Sequence, residues 1–115
     1  FALIAYLRAR HPAVPVGILT YANLLAARGR ARFMADAAAA GADSILVADV
    51  PSLEADPYAA DARAAGLDLV MIAAPNTPRT VLERIARLSS GYTYCVARAG
   101  VTGTRDDIAL DHDQL

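Results

Sequence analysis

A short β-rich run, a polar or Gly/Pro turn and an Ala/Arg/Leu-rich stretch of helical length recur along this chain, and the recurrence limits the fold more than any single motif does. The β-rich runs occupy residues 14–20, 44–48, 69–73 and 93–97. Their starts recur roughly every 25 residues, the length taken by a parallel strand, its turn and a crossover helix. The segments around them predict helices over residues 3–10, 30–40, 53–65 and 78–88. Gly41 and Gly66 stand where left-handed C-terminal caps belong. Thr77 and Pro78 read as an N-cap followed by a first-turn proline, whose missing N–H has no helical partner to lose. Runs such as SILVA and LVMIA are almost wholly apolar, the pattern of parallel strands covered on both faces.

Four consecutive βα units leave two sheet edges unpaired. The chain opens inside a helical pattern, FALIAYLRAR, with no cap before it, and closes on LDHDQL, where Asp111 offers a cap but too few residues follow for a helix that packs. The expected architecture is therefore α/β, a partial (β/α)8 TIM barrel of four parallel βα units. It forms a single partial domain over residues 1–115, truncated at both ends. A small doubly wound domain, complete in itself, is the competing architecture.

Bulk properties remove several classes of function. A hydrophobic content of 56% supports a real core. With 11 basic against 12 acidic residues the net charge is -1, which gives no electrostatic footprint for nucleic acid or an anionic membrane. The longest apolar runs fall far short of the roughly 20 residues of a membrane-spanning helix. One cysteine, Cys95, and two distant histidines, His11 and His112, form no recognisable zinc set, so no metal is expected and a reducing cytosol suits the pattern. Cys95, inside an apolar run without a neighbouring base, is expected to be a buried structural thiol. His11, before Pro12, is expected in a surface turn.

In either architecture ligands gather at the carboxyl ends of the strands. Alternation by two puts Leu19 with Tyr21, Leu46 with Ala48, and Tyr92 with Tyr94 on shared faces. If those faces point inward they form apolar walls, with tyrosine hydroxyls suited to a flat aromatic ligand or simply satisfied within the packing. Asp49 is a carboxylate at a strand end and admits two roles, an acid or base of a barrel enzyme or an organiser of the local turn. In RAGVTG, Gly100 and Gly103 flank Thr102, so the backbone can approach an anion while the hydroxyl donates to it. Arg98 can pair with phosphate or anchor a loop that closes over a site.

Taken together, PVGILTYANLL (residues 15–25), GADSILVADVP (41–51), APN (74–76) and GYTYCVARAGVTG (91–103) resemble the alpha subunit family of tryptophan synthase, in order and spacing across nearly the whole chain. The resemblance implies a lyase of tryptophan biosynthesis. It would split indole-3-glycerol phosphate by retro-aldol cleavage into indole and glyceraldehyde 3-phosphate, without metal or organic cofactor, and pass the indole to a beta subunit carrying pyridoxal phosphate. The chain would correspond to the third through sixth units of an eight-unit barrel. Leu19, Tyr21, Leu46, Ala48, Ile72, Tyr94 and Thr102 fall on family positions that line the substrate pocket. Gly103 falls on a glycine whose N–H holds the phosphate, the segment from Arg98 through Gly100 to Gly103 on a loop that closes over substrate, and Asn23 and Pro51 on the face that meets the beta subunit. The family's glutamate acid/base and its partner aspartate would precede Phe1, so these residues alone are expected to be inactive or nearly so. Another phosphate-binding barrel enzyme, or a non-catalytic α/β binding module, are the alternatives.

Overall fold

The computed structural model describes residues 1–97. Their elements run α1 (Ala2–Arg10), β1 (Gly17–Thr20), α2 (Ala22–Arg28), α3 (Arg30–Ala40), β2 (Ser44–Val47), a 3₁₀ turn (Ser52–Glu54), α4 (Asp56–Ala65), β3 (Asp68–Leu69), β4 (Ile72–Ala73), α5 (Arg79–Leu88) and β5 (Tyr94–Cys95). All pairings are parallel: β1 joins β2 from Gly17↔Ser44 to Thr20↔Val47, β2 joins β3 at Ser44↔Asp68 and Ile45↔Leu69, and β4 joins β5 at Ile72↔Tyr94 and Ala73↔Cys95. The described residues form part of a barrel wall, a curved parallel sheet backed by helices.

Alternation divides the sheet chemically. Ile45 and Val47 of β2, Leu69 and Met71 point toward the helices and join Leu25, Phe33, Met34, Ala37, Ala59, Ala62 and Ile85 in one buried cluster. The helices reach this cluster closely because alanines face it: Ala59 and Ala62 of α4 meet α3, and Arg30 pairs with Asp61 at 2.6 Å across the same seam. Both helices preceding buried strands end as their glycines predict. Gly41 and Gly66 adopt φ of 111° and 82°, and Ala42 and Leu67 donate back to Ala37 and Ala62.

The run 69–73, read from sequence as one strand, divides its bonding. Val70 N–H donates to Ile45 on one side, while the carbonyls of Leu69, Met71 and Ala73 accept from Ser90, Tyr94 and Val96 on the other. The two neighbours grip different halves, as strand stagger in a closing sheet requires. The predicted helix 53–65 is also divided, because Pro57 opens α4 and the residues before it turn as 3₁₀. The Thr77–Pro78 cap is corrected. The helix starts at Arg79 with no side-chain cap, and the Thr77 hydroxyl instead accepts from Ala74 N–H at 2.9 Å, closing the turn after β4. Cys95 is likewise corrected, being exposed, because β5 has a partner on one side only among the described residues. His11 is exposed.

Helix α1 buries none of its side chains completely; Ile4 packs partly against the core, and one guanidinium ties the helix to the turns around it. Arg8 donates to the Gly41 carbonyl (2.8 and 3.0 Å), to those of Pro12 (2.9 Å) and Val14 (2.8 Å), and to Asp43 (2.5 Å). A Cβ at Gly41 would lie 2.7 Å from Arg8 Cγ, so that glycine serves both the cap and the arginine. Asp43 Oδ2 also accepts from Val16 N–H at 2.7 Å.

Replacing Arg8 by Ala is expected to lower unfolding stability by about 1–2 kcal/mol, kept modest by solvent screening, and Arg8→Lys to restore less than half of it, because an ammonium cannot span carbonyls and carboxylate together. Urea titration followed by circular dichroism measures both. The Val16 N–H lowers the Asp43 pKa; partial desolvation opposes this and Arg8 adds to the lowering. A carboxyl depressed by folding contributes its stability in full above its unfolded pKa and loses it as pH falls through the folded value, so stability should decline below about pH 4. Asp43→Asn should flatten that decline in thermal melts taken across the range.

Candidate functional site

The face of the sheet turned away from the helices carries the residues singled out by alternation. Leu19 stands opposite Leu46 across β1 and β2, and Ile72 opposite Tyr94 across β4 and β5; alternation turns both cross-strand pairs away from the buried helix-side cluster. Leu46 is buried between its neighbours, Ala48 and Ile72 are half-buried, and Leu19, Tyr21 and Tyr94 are 72%, 58% and 51% exposed. Tyr92 occupies the same face one layer nearer the amino ends of the strands. Gly17 and Ser44 make room for its ring: a Cβ at Gly17 would lie 2.8 Å from Ser44 Oγ and 3.3 Å from the Tyr92 hydroxyl. Sequence alternation paired Tyr92 with Tyr94 but gave no sign that its hydroxyl reaches β1, since that depends on which small residues a neighbouring unit presents.

At the carboxyl ends of β2 and β4 a cavity of about 570 Å³ opens between the 3₁₀ turn and α5. Ala48, Ile72, Met71 and Val81 give it apolar walls, while Asp49 and Arg84 stand at its border. Arg84 has no ion-pair partner among the described residues. A second cavity, about 240 Å³, lies between α5 and the β4–β5 pair on the helix side and is lined by Ala73, Leu82, Thr93 and Cys95 without a charged group.

Asp49 makes an organising contact, though not the one expected of a turn residue. Its Oδ1 accepts from the backbone N–H of Ala22 at 2.7 Å, so it bonds the first residue of α2 rather than its own following turn. Helix α2 is an element that the sequence reading did not assign; its N-cap residue, Tyr21, makes no side-chain capping bond, and its first turn holds no acidic residue. The carboxylate needed there comes from the next unit, which no local pattern reveals. Asn23, one residue beyond Ala22, and Pro51, two beyond Asp49, are both exposed at this end of the sheet.

Arg98, Gly100, Thr102 and Gly103, and with them the anticipated closing loop, lie outside the described residues. Among the described residues no group of three His, Cys, Asp or Glu side chains could hold a metal ion, and no helix is long and apolar enough to cross a membrane.

The sequence profile of the tryptophan synthase alpha chain matches residues 1–115. The alpha chain of Shewanella amazonensis is 44% identical over 115 residues, covering 100% of this chain and 43% of that protein. The alpha chain of Vibrio cholerae is 48% identical over 103 residues, 90% of this chain and 38% of that one. A chain of the tryptophan synthase a2b2 complex of Pyrococcus furiosus superposes with a TM-score of 0.77 at 36% identity, over 81% of this chain and 38% of its own length. Tryptophan synthase subunit alpha of Legionella pneumophila gives 0.79 at 28% identity over 82% and 36%. This chain therefore spans about two fifths of the length of the curated relatives it matches. A profile match over residues 1–115 and a shared partial TIM-barrel wall together give one result: the chain belongs to the tryptophan synthase alpha chain family.

Proposed function

We propose that this chain contributes the indole-side wall of a lyase that cleaves indole-3-glycerol phosphate to indole and glyceraldehyde 3-phosphate in the cytosol. The observation that carries this is the common face of Leu19, Leu46, Ile72 and Tyr94, an apolar surface with a phenol at its rim, in a member of the alpha chain family. Tyr21 and Ala48 extend that wall toward the strand ends. Thr102 and the Gly103 N–H would meet the glycerol phosphate, with Arg98 and Gly100 in a loop that closes over it. Such a wall binds a planar ring through area and stacking, and leaves the bond-breaking to charged groups.

The cleavage requires protonation at the indole C3, release of the proton on the glycerol hydroxyl as its C–O bond becomes a carbonyl, and transfer of the ring N–H proton. Positioned carboxylates do this work. Asp49 Oδ1 is bonded to the Ala22 N–H, so the proton transfers are assigned to carboxylates other than Asp49. These residues alone are thus assigned binding without proton transfer. In the family's assembly the indole would pass to a beta subunit meeting Asn23 and Pro51, a role supported by their exposure beside the pocket end and by the a2b2 assembly of the Pyrococcus furiosus relative.

Two outcomes are expected. Incubated with indole-3-glycerol phosphate, the chain should release no indole above the uncatalysed background in a discontinuous colorimetric assay; release near the rate of an intact alpha subunit would refute the assignment of proton transfer elsewhere. Titrated with indole and followed by NMR shifts, the chain should show saturable perturbation at Leu46, Ile72 and Tyr94, and Tyr94→Ala should weaken binding roughly 2- to 10-fold. Unperturbed resonances on that face would remove the site.

A further inference from the structure

We propose that Asp49 is a positioning residue, whose carboxylate fixes the turn after β1 against the turn after β2 and so sets the pocket wall and the outer face of this end as one unit. This rests on the indole-wall assignment above. Asp49 is the obvious strand-end carboxylate, yet its Oδ1 lies 2.7 Å from Ala22 N, an orphan donor of the first turn of α2. Ala22 stands between Tyr21 and Asn23; Asp49 stands beside Ala48 and two residues before Pro51. One hydrogen bond therefore links two residues of the pocket wall and two of the exposed rim.

Three features make this bond matter more than an ordinary cap. Helix α2 has only 7 residues, too short to hold its own direction, and no side chain of its own turn caps it. Its one fully buried side chain, Leu25, lies a full turn further on, and Ala22 is only partly buried against the core, while Tyr21 and Asn23 on either side of it are exposed. The last backbone tie between the two units, Ala48 N–H to the Thr20 carbonyl at 2.8 Å, comes just before the two chains diverge. Past that point, the Asp49 carboxylate makes the next hydrogen bond between them among the described residues, and its charge also faces the positive end of the α2 dipole.

Asp49→Ala and Asp49→Asn separate positioning from general stability, because Asn keeps a carbonyl oxygen where Oδ1 stands. In the full 115-residue chain, Asp49→Ala should raise amide hydrogen exchange at Ala22 roughly 10-fold while leaving exchange in β2 and α3 unchanged, and should weaken indole binding several-fold by NMR titration. Asp49→Asn should recover most of both. Unchanged exchange at Ala22 in Asp49→Ala, full indole affinity in that variant, or equal weakening by Ala and Asn would each overturn the proposal. Failure of the unaltered chain to bind indole is a different result: it removes the pocket assignment and with it Asp49's role there, while exchange at Ala22 still reports whether the bond holds the turn.

Discussion

Asp43 aligns the starts of three strands at once. Its N–H donates to the Val16 carbonyl at 2.8 Å, its carbonyl accepts from Asp68 N–H at 3.0 Å, and its carboxylate takes the Val16 N–H and the Arg8 guanidinium. In a parallel sheet a shift by one residue would turn every side chain to the wrong face. Pinning β1, β2 and β3 at their amino ends therefore decides that Ile45, Val47 and Leu69 meet the helices while Leu19 and Leu46 meet the pocket side. Arg8 extends the same junction to α1, whose Ile4 is only partly buried against the core.

At the opposite end of the sheet Asp49 has the corresponding place. Both aspartates accept a backbone N–H of the preceding unit, Val16 in one case and Ala22 in the other, both at 2.7 Å. Between these two ties lie the fully buried strand β2 and its register with β1. Strand register thus fixes the face that carries Leu19 and Leu46, while the turns beyond it are joined by the Asp49 carboxylate.

The periodic parts of this fold were legible because local chemistry writes them. Apolar runs gave the strands, Gly41 and Gly66 gave the helix ends, and period-two alternation selected the face that carries Leu19, Leu46, Ile72 and Tyr94. What escaped depends on neighbours distant in sequence. Helix α2 was missed because its cap is supplied by Asp49 from the next unit; the split of residues 68–73 follows from being gripped by different partners; Thr77 turned its hydroxyl backward because Ala74 offered a donor in the tight turn; and Cys95 is exposed because an apolar run does not say whether its strand has neighbours on both sides. Within the site, residue types at strand ends were readable, whereas the reach of Tyr92 to Gly17 and the bond from Asp49 to Ala22 were not.

The strand pairings join Gly17 with Ser44, Ser44 with Asp68 and Ile72 with Tyr94, so each closes a loop of similar length, roughly 25 residues. Among the described residues no strand pairing joins segments much further apart than this. During synthesis, each unit leaving the ribosome finds its docking edge already formed by the one before it, and the cost of loop closure is met in equal instalments rather than in one late, slow step. The even spacing that first marked the sequence as repetitive is, in kinetic terms, a schedule for assembly from the amino terminus onward.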